Sequence, residues 1–355
     1  MVQSELDFTL TLAWWLAWTT LLLLVLIAMG LLLLRWVRWR NEPKMAAFQA
    51  FWRPMLMRWA MGDQVNEPMP VLKAQERWPF MRLWLHCQMS LQGPGRQRLA
   101  ELGLRMGCRE MAMLRVDSTH YSERMVGLLA LGFLLDRSSV PTLKERLESG
   151  NGDSMIYAAR ALMEIDQVEH GAAVVHALLT CEGLDFALVS VLLKPFKTRL
   201  EAVLMPACPQ PQATSAEVPH AQAFQWLRLA QALKLLVPQW RLTPFLSSDQ
   251  HIEILIAALR LVQGEQGTEA VACHAQHADW RVRVQVARAL GRIGGLMHHP
   301  ILLGLLTDKQ WWVRYRSAQA LLQMPGMQHD QLLTNVVATQ DRYALSMLDA
   351  VRSEK

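Results

Sequence analysis

Apolar residues follow two different patterns along this chain. From Phe8 to Leu34 no position is charged, and Leu21 to Leu34 consists chiefly of Leu, Val and Ile. Further on, apolar residues recur at the i, i+3, i+4, i+7 spacing of helices, and whole blocks of them return at a fixed distance. Leu131, Leu162 and Leu193 are 31 residues apart, and so are Leu259, Leu290 and Leu321. A period of that size marks stacked copies of one helical unit rather than a single globular core. The pattern predicts an all-α chain: one N-terminal transmembrane helix followed by an α-solenoid of helical hairpins.

The first pattern is long enough for a membrane, since roughly 20 helical residues cross a hydrocarbon core. Trp14, Trp15 and Trp18 lie near one end of the run and Trp36 and Trp39 just past the other, where interfacial aromatic belts sit. Glu5 and Asp7 precede it, whereas Arg35, Arg38, Arg40 and Lys44 follow. The positive-inside rule therefore predicts a single-pass protein of the inner membrane, N-terminus outside, with everything after Arg35 in the cytoplasm. A cleaved secretory signal would need a basic start, a shorter core and small residues at the cleavage site, and this sequence has none of these. The expected membrane-interface residues are Trp14, Trp15, Trp18, Arg35, Trp36, Arg38, Trp39 and Arg40.

The organisation read from these patterns has five parts. Residues 1–8 form a short extracytoplasmic start and 9–34 the transmembrane helix. Residues 35–70 are a basic, Trp-rich juxtamembrane segment ending in a Pro- and Gly-bearing linker, 71–117 a helical cap, and 118–355 the repeats. In the juxtamembrane segment Phe48, Phe51, Trp52, Met55, Leu56 and Trp59 share one helical face, with Pro54 placed to kink or start the helix. That face would either lie in the membrane interface or pack on the first repeat. A polar loop near 206–219, rich in Pro and Gln, breaks the repeat phase, and an irregular unit around Ala221–Leu236 fills the gap.

The clearest unit runs Asp279-Trp280-Arg281-Val282-Arg283 to Ala287 and Ala289-Leu290-Gly291, echoed by Trp311-Trp312-Val313-Arg314 to Ala318 and Ala320-Leu321. Earlier copies carry Arg124 with Ala130-Leu131-Gly132, and Asp153 with Ala161-Leu162. These residues resemble HEAT repeats, in the subgroup shared with phycobilisome-lyase-like repeats, over roughly residues 118–350. The resemblance implies antiparallel helix pairs, with the Asp and Arg positions (Asp279, Arg283, Asp308, Arg314) forming a ladder between neighbouring units. It also implies that the second helix of each pair lines a concave face. Small Ala residues let neighbouring helices approach, and the periodic Leu residues fill the seams.

Composition changes little in this picture. Hydrophobic residues make up 52% and charged ones 19%, and the net charge is +5. So mild a charge on a membrane-tethered chain lacks the broad basic footprint of a nucleic-acid binder. Five scattered cysteines with no C-x-x-C pair fit a reducing compartment. Cys273, His274 and His277 have the spacing of a partial metal site, but no second ligand pair matches them, so no metal and no cofactor is expected. Nor do a Ser-His-Asp set, a glycine-rich phosphate loop or paired carboxylates stand out.

The remaining candidate is a polar, basic patch on the last two full units. With Val282, Val286 and Leu290 inward, Arg281, Gln285, Arg288 and Arg292 face the other way, and 31 residues on stand Trp312, Arg316, Gln319 and Gln323. Such a patch suits an acidic peptide, a lipid headgroup or another anion; its bland counterpart is a solvated helix face. The expected function is a non-enzymatic scaffold or adaptor. It would hold a protein partner, itself membrane-associated, such as an envelope-polymer or other membrane enzyme complex, at the membrane, with lipid contacted through the N-terminal helix and no nucleic acid bound. The alternatives are a lyase or chaperone-lyase, and an anion-responsive sensor.

Overall fold

The computed structural model describes residues 2–62, 70–149, 152–209, 217–324, 329–338 and 340–354. No strand occurs among them. The chain divides into two compact units, Met1–Met111 and Ala112–Lys355.

The first unit contains α1 (Val2–Met61), α2 (Arg77–Ser90) and α3 (Pro94–Arg105). Within α1 the stretch Trp14–Leu33 is long and apolar enough to cross a membrane, and none of it is buried. The expected separate juxtamembrane helix does not exist: α1 continues through both Pro43 and Pro54. A proline removes one backbone hydrogen bond from a helix, and tertiary packing offsets that loss here. Trp52, Leu56 and Ala60 are buried, and the Trp52 ring meets Phe80 of α2 edge-on at 4.8 Å. Trp59 Nε1 donates to the Arg98 carbonyl at 3.2 Å, and Arg98 Nη1 donates to the Ala60 carbonyl at 3.0 Å. The Phe48–Trp59 face thus packs on α2 and α3, with Phe51 left exposed. Trp84, fully buried in α2, satisfies its indole N–H on the Leu99 carbonyl at 2.7 Å. The linker foreseen at 62–70 lies mostly outside the described residues.

α4 (Cys108–Val116) straddles the division between the units. The second unit continues with α5 (Tyr121–Phe133), α6 (Val140–Glu148), α7 (Gly152–Ile165), α8 (Gln167–Thr180), α9 (Phe186–Leu192) and α10 (Lys197–Leu204). After them come α11 (Glu217–Ala232), α12 (Gln239–Leu242), α13 (Ile252–Leu261), α14 (Thr268–Ala272) and α15 (Trp280–Ile293). The array ends with α16 (His299–Leu306), α17 (Trp311–Gln323), α18 (His329–Ala338) and α19 (Arg342–Ser353).

From α5 onward the odd-numbered helices form one layer, each packing on the next. Even-numbered helices pack against members of that layer: α6 and α8 on α7, α14 on α15, α16 on α17 and α18 on α19. This is the stacking of helical hairpins that the 31-residue period predicts. Leu131, Leu162, Leu193, Leu259, Leu290 and Leu321 are all at most 1% exposed, so every periodic leucine lies in the core. The small residues do what close packing requires of them. A Cβ placed on Gly132 would stand 2.7 Å from the Ala161 Cβ, and one on Gly291 would stand 2.6 Å from the Ala320 Cβ. Both glycines meet an alanine 29 positions further on, so two distant seams repeat one contact.

A second repeated device fixes the loops. Arg124, Arg283 and Arg314 occupy the same place in their helices, and each donates through Nη1 to the carbonyl six residues earlier, on Ser118, His277 and Asp308 respectively. Arg283 also grips Asp308 of the next unit with two hydrogen bonds, of 2.7 and 3.0 Å. That is a rung of the Asp–Arg ladder. Asp279 caps α15 by accepting the Arg281 N–H at 2.7 Å. Where the phase breaks, Trp226 of α11 fills the core, stacked on Phe245 and donating to the Leu204 carbonyl. The loop expected near 206–219 lies partly outside the described residues.

Candidate functional site

The eight patch residues foreseen on α15 and α17 fall into three environments. Arg281 is held by acids: its guanidinium contacts Glu253 and Asp279, both at 2.9 Å. Trp312, Arg316 and Gln319 join an aromatic group at the start of α17. There Trp311 stacks on Tyr315 at 5.0 Å, and Trp312 meets Trp311 edge-on at 4.7 Å. Arg316 donates to Gln319 Oε1 and lies over the Tyr315 ring, while Gln319 donates to the Tyr315 hydroxyl. Gln323 is exposed at the end of that helix.

The third environment holds Gln285, Arg288 and Arg292 of α15, together with two arginines that periodic reading passes over. Arg260, at the end of α13, donates through Nε to Gln285 Oε1 at 3.3 Å. Arg292 donates to the final carbonyls of α13, on Arg260 at 3.3 Å and Val262 at 2.9 Å. Arg228 of α11 lies over the Phe186 and Phe224 rings at 4.6 and 5.8 Å. Burial lowers the Arg260 guanidinium below its usual value, and the charges of Arg288 and Arg228 lower it further, opposed only by Glu253. Arg292 is lowered in the same way, by burial and by Arg288. Glu253 is already engaged with Arg281. The result is four guanidinium groups from three successive helices, with Arg260 and Arg292 partly desolvated and the charge of Arg288 bearing on both. Such an arrangement favours an added anion by relieving both the desolvation and the repulsion.

One clue to Arg260 was present in the sequence. After the Ala-Leu pairs that end in a periodic leucine stand Gly132, Met163, Arg260, Gly291 and Leu322, and of these five only Arg260 is charged. Arg228 and Arg288 lie 32 residues before and 28 after it, so a fixed step of 31 misses the trio.

Other candidates resolve into local structure. His274 is buried with Nε2 2.8 Å from the Leu246 carbonyl, and His277 Nδ1 accepts the Asp279 N–H at 3.0 Å. Cys273 is exposed nearby, and no group of three metal-ligating side chains occurs among the described residues. Burial pushes all five thiols up, Cys108 to about 12, so at neutral pH none is a thiolate nucleophile. At the membrane-interface positions Trp14, Trp15, Trp18, Trp36 and Trp39 are exposed, as are Arg35 and Arg40, and the Arg40 guanidinium lies 5.4 Å over the Trp36 ring. The Arg38 side chain lies outside the described ones.

The second unit is therefore an α-solenoid built of stacked helical hairpins. The HEAT repeats family matches residues 241–322 and 268–348, and this part of the chain carries HEAT repeats. No curated protein matches the chain. Among solved structures, the complex of CpcE and CpcF of phycocyanin lyase from Nostoc sp. PCC7120 is similar at 20% identity, with 68% of this chain and 94% of that chain covered and a TM-score of 0.32. So loose a likeness carries no functional weight.

Proposed function

We propose that this protein is a non-enzymatic scaffold that holds an acidic segment of a protein partner against the α11–α13–α15 layer. The observation carrying this reading is the cluster of Arg228, Arg260, Arg288 and Arg292, whose positive charge is not balanced by the one acid nearby. Arginine suits the role because its planar fork pairs with carboxylates through two hydrogen bonds and is weakly hydrated. The aromatic group around Trp312 and Tyr315 extends the same layer with rigid, exposed contact area. In this reading Trp14–Leu33 anchors the scaffold in the inner membrane, with the repeats in the cytoplasm.

The test is a pull-down of the full-length protein from mild detergent beside an Arg260→Glu/Arg288→Glu variant. A partner recovered with the first and lost with the second supports the scaffold and its face. Equal recovery by both baits removes the arginine cluster from the account. Reporter fusions at the C-terminus test the anchor separately, since a periplasmic reporter active there overturns the orientation.

A further inference from the structure

The first unit holds a cavity of about 440 Å³ between α1 and α2, within the size range of small-molecule sites. Met45, Trp78 and Leu83 give it apolar walls, and Arg53, Arg82 and His86 bring exposed cationic and polar groups to it. Among the described residues Arg53 and Arg82 have no ion pair and no side-chain hydrogen bond. The surrounding sequence is strongly biased: residues 35–111 contain 13 Lys and Arg against 6 Asp and Glu, whereas residues 112–355 contain 23 of each. The excess positive charge of the whole chain therefore lies in residues 35–111, the part that holds this groove, and not in residues 112–355.

We infer that this groove binds a small amphiphilic anion: a phosphate or carboxylate head set between Arg53 and Arg82, with an apolar stem against Met45, Trp78 and Leu83. The helix geometry favours a ligand arriving from water. Met45 lies 12 residues beyond Leu33 on the continuous α1, roughly 18 Å along the axis at helical rise, and Arg53 roughly 30 Å. Resting on the reading of Trp14–Leu33 as the membrane span, those distances carry the groove past the headgroup layer. The two arginines supply charge-assisted hydrogen bonds to the head, and the apolar walls discriminate against a bare inorganic ion.

The experiment uses the full-length protein in nonionic detergent, titrated calorimetrically with octyl phosphate below its micellar concentration. Inorganic phosphate and octyl glucoside serve as the head without the stem and the stem without the charge. The expected result is saturable binding of one octyl phosphate, about ten-fold or more tighter than either control, and weakened about ten-fold or more in Arg53→Gln/Arg82→Gln. Both arginines are exposed, so that variant keeps the fold; Met45→Ser tests the apolar wall from another exposed position. Binding that is absent, or unchanged in the arginine variant, overturns the inference. A repeat in nanodiscs separates the sources: displacement of octyl phosphate by anionic but not zwitterionic bilayer lipid overturns the water-borne ligand. The detergent titration does not depend on the membrane reading or on the scaffold's partner, so its failure is distinct from theirs.

Discussion

Between α15 and α17, Gly291 lies so close to Ala320 that an added Cβ would stand 2.6 Å from the alanine Cβ. Between α13 and α15 the same place in the repeat holds Arg260, whose guanidinium reaches Gln285 instead. The first seam is closed by contact between small residues, and its neighbours Ala318 and Leu321 are buried. The second is propped by a half-buried cation with two more arginines in electrostatic range. A solenoid tolerates this because its stability is a sum over neighbouring interfaces, so one seam can carry a costly group while the others hold the array. A desolvated charge beside like charges does nothing for folding. Its presence in this seam is the feature on which the proposed binding face rests.

The largest test of this contrast is Gly291→Val. The added side chain has nowhere to go at the closed seam, and the expected loss is about 3 kcal/mol by urea denaturation of the full chain. Ala320→Gly should recover part of it in the double variant, because the two positions touch. If Gly291→Val costs nothing, the closed seam is not close-packed.

Next comes the rung joining the α14–α15 hairpin to the following one. Arg283 and Asp308 are 16% and 10% exposed, and Asp308→Ala should cost about 2 kcal/mol, between an exposed and a fully buried pair. Burial pushes the Asp308 carboxyl up, but hydrogen bonds from Arg283 and the Gln310 N–H outweigh it and hold it below the usual value. The folded value being the lower one, this contribution is complete above the unfolded value near about 4 and fades as pH falls through the folded one. The gap between wild type and Asp308→Ala should thus stay level at neutral pH and shrink only below about pH 4. A gap that closes between neutral pH and about pH 5 would assign the titration to another group.

Smaller still is the expected effect of Arg260→Met. Removing a repelled cation while keeping an unbranched apolar stem should leave stability within about 1 kcal/mol, with the change favouring the variant. The informative readout is the sulfate dependence of thermal unfolding against chloride at matched ionic strength. Wild type should gain from bound sulfate and the variant should not. Equal sulfate effects would reduce Arg260 to a seam filler.

The least effect is expected for Arg281→Ala. This guanidinium and its partner Glu253 are solvent-exposed, and Asp279 keeps its cap on the Arg281 N–H, so thermal stability should not change measurably and partner recovery should persist. Loss of the partner in this variant would shift the binding face toward the start of α15.

Much of the fold was legible because periodicity reports which face of a helix turns inward, and that is a local property. The six periodic leucines and the apolar run of α1 follow from spacing along the chain, and the Arg283–Asp308 rung from what the resemblance to HEAT repeats implies. The candidate site was legible only in part. Arg288 and Gln285 could be placed on one face of α15, but Arg260 and Arg228 join them from helices whose spacing departs from the 31-residue step. Arg281, equally exposed by pattern, is captured by Glu253 from a neighbouring helix.

The amino-acid sequence by itself determined the all-helical repeat, its core positions and the apolar run within α1, since these depend on residue type and spacing within single elements. Tertiary structure alone decided that α1 runs unbroken through Pro54, because burial of Trp52, Leu56 and Ala60 around it offsets the lost backbone bond. It also decided which arginines remain unneutralised. Whether a guanidinium meets a carboxylate, a carbonyl or another guanidinium depends on the rotation and axial offset between adjacent helices. Those offsets are set by how closely the side chains in each seam allow the helices to approach.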